Sequence, residues 1–118
     1  MKRYFKLIYQ AHLDEYNDPM MEVDSEPVLR QLHDEINSII MNREYYDEIV
    51  EALGRVLSGE REAYDFGYEV YNFDCDKDDC DVTEYLTKKL GIFRTQDMYD
   101  MLKYFQQYRD DFYARQNV

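Results

Sequence analysis

Tryptophan is absent from this 118-residue chain, and glycine, proline, histidine and cysteine number only four, two, two and two. The glycines, Gly54, Gly59, Gly67 and Gly91, form neither G-x-G-x-x-G nor G-x-x-x-x-G-K, so no glycine-rich loop cradles a phosphate. No linker, internal repeat or low-complexity stretch divides the chain, and residues 1–118 read as one domain. Basic residues are also few, 14 against 26 acids, for a formal net charge of −12. A nucleic-acid binder needs lysine and arginine to neutralise phosphates, so direct nucleic-acid binding is not expected. The same repulsion argues against anionic membrane surfaces. No run of ~18 apolar residues exists to span a bilayer. Lys6 and Gln10 interrupt the N-terminal apolar stretch before it reaches signal-peptide length. A cytoplasmic protein with Cys75 and Cys80 as reduced thiols is the expectation, with a bridge across the hairpin as the alternative in air.

What the chain does have is apolar and aromatic mass. Apolar residues make up 45% and aromatic residues 16%, which excludes an acidic disordered tail. Thirteen residues are tyrosine, too many for a domain this size to bury completely, so some should be exposed. The spacing of the apolar residues predicts a strand over Arg3–Ala11, with Phe5, Leu7 and Tyr9 facing the core. Residues 14–24 read as a loop around Asn17-Asp18-Pro19, with Val23 able to extend a short edge strand. A first helix should start near Ser25 as its cap and carry Val28, Leu29, Leu32, Ile36, Ile39 and Ile40. Asn42 should cap a second helix, from about Arg43 to Leu57, stopped by Gly59.

Ala63–Asp74 alternates as one strand, Cys75–Asp79 turns, and Cys80–Leu86 returns as the hairpin partner. Lys88–Phe93 reads as a connection broken at Gly91. Thr95 should cap a last helix running to about Arg115. Its aromatic residues, Tyr99, Tyr104, Phe105, Tyr108, Phe112 and Tyr113, cover more than one stripe, which leaves a homodimer or partner contact open. The order is β-α-α-β-β-α, an α+β domain with a small antiparallel sheet packed by helices.

Residues 62–84 hold nine acids against one base, Lys77. Asp74, Asp76 and Asp78 have the D-x-D-x-D spacing of a calcium loop. That loop also needs glycine at its sixth position and glutamate at its twelfth, where this chain has Asp79 and Tyr85. A two-metal hydrolase would also use clustered carboxylates, but the surrounding charge repels a phosphate substrate. A solvated turn and a docking face for a basic partner remain, and the second includes mimicry of nucleic acid. On a docking face, Asp65, Glu69, Asp74, Asp76, Asp78, Asp79, Asp81 and Glu84 would steer and neutralise. Tyr64, Tyr68, Tyr71 and Tyr85 would supply the less solvated anchors. Cys75 and Cys80 lack the further ligands a zinc site needs, since His12 and His33 do not form the required pair. Neither histidine belongs to a nucleophile signature. No catalytic residue, metal or cofactor is expected.

One resemblance bears on function. The run Tyr45-Tyr46-Asp47-Glu48-Ile49, Leu53, Val56-Leu57-Ser58-Gly59-Glu60, then Tyr64-Asp65-Phe66-Gly67, Val70-Tyr71 and Asp74, resembles small acidic bacterial immunity proteins. These belong to polymorphic-toxin and contact-dependent growth inhibition systems. Thr95-Gln96-Asp97-Met98 and Met101-Leu102 opening a C-terminal helix fit the same layout. The similarity spans about residues 45–105 as a pattern of helix, glycine stop, aromatic strand and acidic hairpin. It implies a non-enzymatic cytoplasmic protein that binds the C-terminal domain of a cognate toxin, basic and often a nuclease. Two alternatives stay open: a phage-type nucleic-acid mimic that inhibits a host defence enzyme, and a small carboxylate metal-binding domain.

Overall fold

The computed structural model describes residues 1–85 and 87–116. The described residues form β1 (Ile8–Leu13), β2 (Pro19–Asp24), α1 (Leu32–Ile40), α2 (Arg43–Ser58), β3 (Tyr64–Gly67), β4 (Tyr71–Cys75), β5 (Asp79–Glu84), β6 (Lys88–Arg94) and α3 (Thr95–Gln116). Strands β1 and β2 pair as an antiparallel hairpin, and β3-β4-β5-β6 form a four-stranded antiparallel sheet. The fold is α+β. Helix α3 touches β1 and β2 of the hairpin and β5 and β6 of the larger sheet, while α1 packs on β2 and α2 on α3 and β3.

The second helix forms as its sequence dictates. The Asn42 side chain accepts from the Tyr45 amide at 3.3 Å, and Gly59 closes the helix at φ 84°. The last helix starts at Thr95, whose hydroxyl donates to the Asp76 carbonyl at 2.7 Å while its amide donates to the Asp78 carbonyl. That pair of bonds pins the start of α3 to the β4–β5 turn.

The differences from the sequence-based expectation lie in the strands and the first helix. Residues 14–24 are a turn followed by β2, not a loop. The Asp14 carboxylate accepts from the Tyr16 and Asp18 amides, Asn17 takes φ 62°, and the chain folds back against β1. The expected strand over Ala63–Asp74 is two strands, broken at residues 68–70. Its cause is Glu35 of α1, a buried carboxylate (3% exposed) that accepts from the amides of Tyr68, Glu69, Val70 and Tyr71 at 2.8–3.3 Å. A β carbon on Gly67 would strike the Tyr71 carbonyl oxygen, so the turn also needs glycine there. Residues 88–94 form β6 rather than a connection, and Gly91 leaves room for the Phe5 ring. Leu86, placed at the end of the return strand, lies outside the described residues.

Helix α1 starts at Leu32, not at Ser25. The Ser25 hydroxyl donates to the Lys6 carbonyl, and Glu26 pairs with Arg3, so both residues tie the N-terminal segment instead of capping a helix. Regular pairing of the first strand starts at Ile8. Before it, Tyr4 bridges Ile92 in parallel and the Phe5 amide donates to the Ile92 carbonyl at 2.7 Å. Phe5 is buried and Leu7 and Tyr9 are half-buried, as alternation requires of that face.

Several polar side chains at or near the core are spent on backbone. Asn37 of α1 accepts from the Met21 amide and donates to the Met21 carbonyl, and the His33 Nδ1 accepts from the Val23 amide. Several tyrosine hydroxyls act the same way. Tyr46 donates to the Leu102 carbonyl at 2.7 Å, and burial pushes its hydroxyl pKa up. Tyr45 accepts from the Gly67 amide and donates to the Gly67 carbonyl, and Tyr104 accepts from the Ala11 amide. The rings of Tyr46 and Tyr45 pack in or against the core while their hydroxyls complete backbone groups.

Candidate docking face

The larger sheet has one packed face and one open face. Tyr64, Phe66, Tyr71, Phe73, Cys75, Cys80, Val82 and Phe93 alternate onto the packed side, against α2 and α3. The intervening residues point the other way. Register places Asp65 opposite Asp74, Asp74 opposite Asp81, and Asp81 opposite Ile92. Three carboxylates therefore cross the open face in one transverse row. Both backbone polar groups of Gly67 go to Tyr45, so Gly67–Asn72 is a non-hydrogen-bonded pair. By alternation Asp65–Asp74 is also such a pair, with side chains at the closer spacing, Cα atoms ~4.5 Å apart. Like charges directly opposite destabilise a sheet. Partial relief comes from Lys89, 3.5 Å from Asp81. Among the described residues, no ion pair is made by Asp65 or Asp74.

The acids of the β4–β5 turn do different work. Asp76 accepts from the Asp78 and Asp79 amides at 2.8 Å each. Asp79 binds Lys2 and accepts from the Tyr4 hydroxyl at 2.7 Å, and these hydrogen bonds hold its carboxyl below the usual range. Arg94, its cross-strand neighbour, lies 4.1 Å over the Tyr4 ring. Asp74, Asp76 and Asp78 thus serve a sheet face, a turn cap and solvent respectively. Among the described residues, no three His, Cys, Asp or Glu side chains converge as a metal cage.

Cys75 and Cys80 stand directly opposite across β4 and β5 and are joined as a disulfide, which corrects the expectation of free thiols. Both are fully buried on the packed face. The turn they close is short enough for the two to fall in register, which spacing alone leaves undecided.

The four tyrosines separate as well. Tyr68 and Tyr85 are 50% and 61% exposed, whereas Tyr71 is 5% exposed with its hydroxyl accepting from the Gln31 amide. Tyr71 is a core residue and not an exposed anchor. Tyr64 is half-buried, stacked on Phe66 and under Arg61, with its hydroxyl 3.4 Å from Glu48. Burial, followed by the negative charge of Glu48, pushes its hydroxyl up to about 12. Glu69 is exposed at the β3–β4 turn, and Glu84 is half-buried, paired in register with Lys88 on the rim of the packed face.

Two contributors escaped the sequence reading. Glu35 shapes the end of the face, and Tyr45 supports it through Gly67. Glu35 carries a usable signal: it lies three residues after Leu32 and four before Ile39, on the apolar stripe of α1, where a carboxylate must find donors. Tyr45 carries none. No family model, curated protein or solved structure matches the chain.

Proposed function

We propose that the protein is a non-catalytic immunity protein that neutralises a cognate basic toxin domain through the open face of the β3–β6 sheet. The observation that supports this most is the row Asp65–Asp74–Asp81. Three carboxylates set opposite one another raise the energy of the free protein, and a cationic surface laid over them removes that penalty. A nuclease toxin has such a surface, because its nucleic-acid groove must be basic. Covering the groove blocks the substrate without any chemistry by the inhibitor. Of the turn acids, Asp79 is committed to Lys2 and Tyr4 and Asp76 to its cap, and with solvated Asp78 they contribute long-range steering.

The test is binding to the C-terminal domain of the protein encoded immediately upstream, with a toxicity assay alongside. Wild type should bind and protect, with affinity falling as salt rises. Charge reversal in the row, Asp65→Lys with Asp74→Lys, should abolish protection while the chain stays folded. Reversal of exposed Glu15 and Asp111, which make no ion pair among the described residues, should have little effect. Protection that survives the double reversal removes the open face from the reading. Absence of binding, followed by capture of a host nucleic-acid enzyme, moves the function to inhibition of a defence enzyme.

A further inference from the structure

We infer that the groove beside the β3–β4 turn is a seat for one guanidinium or ammonium side chain of the basic partner. The inference rests on the docking reading and gives it an anchor. Residues 68–70 line the groove, and the Tyr85 amide donates to the Val70 carbonyl at 2.9 Å, which holds Tyr85 beside them. Tyr85 takes φ 52°, in the left-handed region that side chains rarely adopt. Tyr68 and Tyr85, two of the most exposed tyrosines, therefore line the same groove of about 430 Å³. Asp65 and Glu69 line it too, and among the described lining residues none is basic.

The chemistry selects a cation. An anion would need the free amides of the turn, but Glu35 already takes all four from residues 68–71. A purely apolar group would desolvate Asp65 and Glu69 without giving them a partner. A guanidinium satisfies both conditions: its face stacks on tyrosine and its N–H groups donate to carboxylate. Asp65 belongs to both the groove and the transverse row, so the seat sits at the end of the proposed docking face.

The experiment titrates the isotope-labelled full chain with N-acetyl-arginine amide and, separately, with its neutral isostere N-acetyl-citrulline amide, at fixed ionic strength. Amide shifts should saturate with the arginine probe and cluster at residues 65–72 and 85. The citrulline probe should bind about tenfold more weakly. Tyr68→Leu, which keeps an apolar side chain at an exposed position, should lose the saturable shifts. The inference fails if the two probes act alike, if shifts spread evenly to distant acids such as Asp110 and Asp111, or if Tyr68→Leu binds as wild type. These outcomes are separable from the docking test. An empty groove with partner binding still lost in the Asp65→Lys, Asp74→Lys chain overturns the seat alone. A filled groove in a chain that protects against nothing overturns the docking reading alone.

Discussion

The β4–β5 turn and the open sheet face carry similar numbers of carboxylates within a few residues of each other, yet the two regions hold their charge in opposite ways. At the turn two acids have donors, amides for Asp76 and Lys2 and Tyr4 for Asp79, and Asp78 faces solvent with no carboxylate opposite it. On the face, Asp65 and Asp74 oppose one another in register. Glu35 extends the first pattern into the interior, where one carboxylate organises a whole turn. Local density of acid therefore does not mark a binding surface. On the proposed docking reading, the distinguishing feature is acid set opposite acid in a geometry that penalises the free state.

That contrast can be broken by substitution. The largest effect is expected for Glu35→Ala, which leaves four turn amides without their acceptor. Chemical denaturation should show a loss of about 3 kcal/mol or more, on the scale of leaving buried polar groups unpaired. Asp76→Ala removes an exposed cap of two amides and should lose about 1 kcal/mol in the same measurement. Asp74→Asn on the open face should move stability the other way, by a few tenths of a kcal/mol upward, while weakening partner binding. A loss of stability there equal to that of Asp76→Ala would mean the two regions do not differ.

Acid sharpens the comparison from another side. Hydrogen bonds from Lys2 and Tyr4 lower Asp79. At Asp47 burial acts upward, but bonds from Gln106 and Arg109 outweigh it and the net shift is downward. A carboxyl lower in the folded than in the unfolded chain binds its proton first in the unfolded chain. Stability from these groups is thus present above about pH 4 and lost as pH falls through their folded values. Melting temperature should drop on acidification in this window, and Asp47→Asn should flatten that drop.

How much of this was legible in the sequence depended on whether a signal was local. Helix α2 was readable from end to end, because Asn42, the apolar stripe and Gly59 each act on neighbouring backbone. Helix α1 was misread at its start because Ser25 is used by Lys6, nineteen residues earlier. The split of Ala63–Asp74 was hidden, since the residue that bends the chain is Glu35, on another element. The acidic, tyrosine-rich hairpin was visible as composition. Its division into face, turn and groove was not, because the row of aspartates exists only once β3 and β4 are in register.

The polar side chains that reach backbone have one more consequence, for what the protein does not adhere to. Each sheet has outer strands, and each of these is met by a stopper. Tyr104 covers an outward amide of β1, Asn37 and His33 cover β2, the Tyr45 hydroxyl sits across Gly67 of β3, and the segment at Tyr4 and Phe5 lies along β6. A strand from a second chain seeking to extend either sheet finds these sites filled. Each outer strand thus has part of its edge occupied from within the fold, which opposes its extension by a strand of another chain.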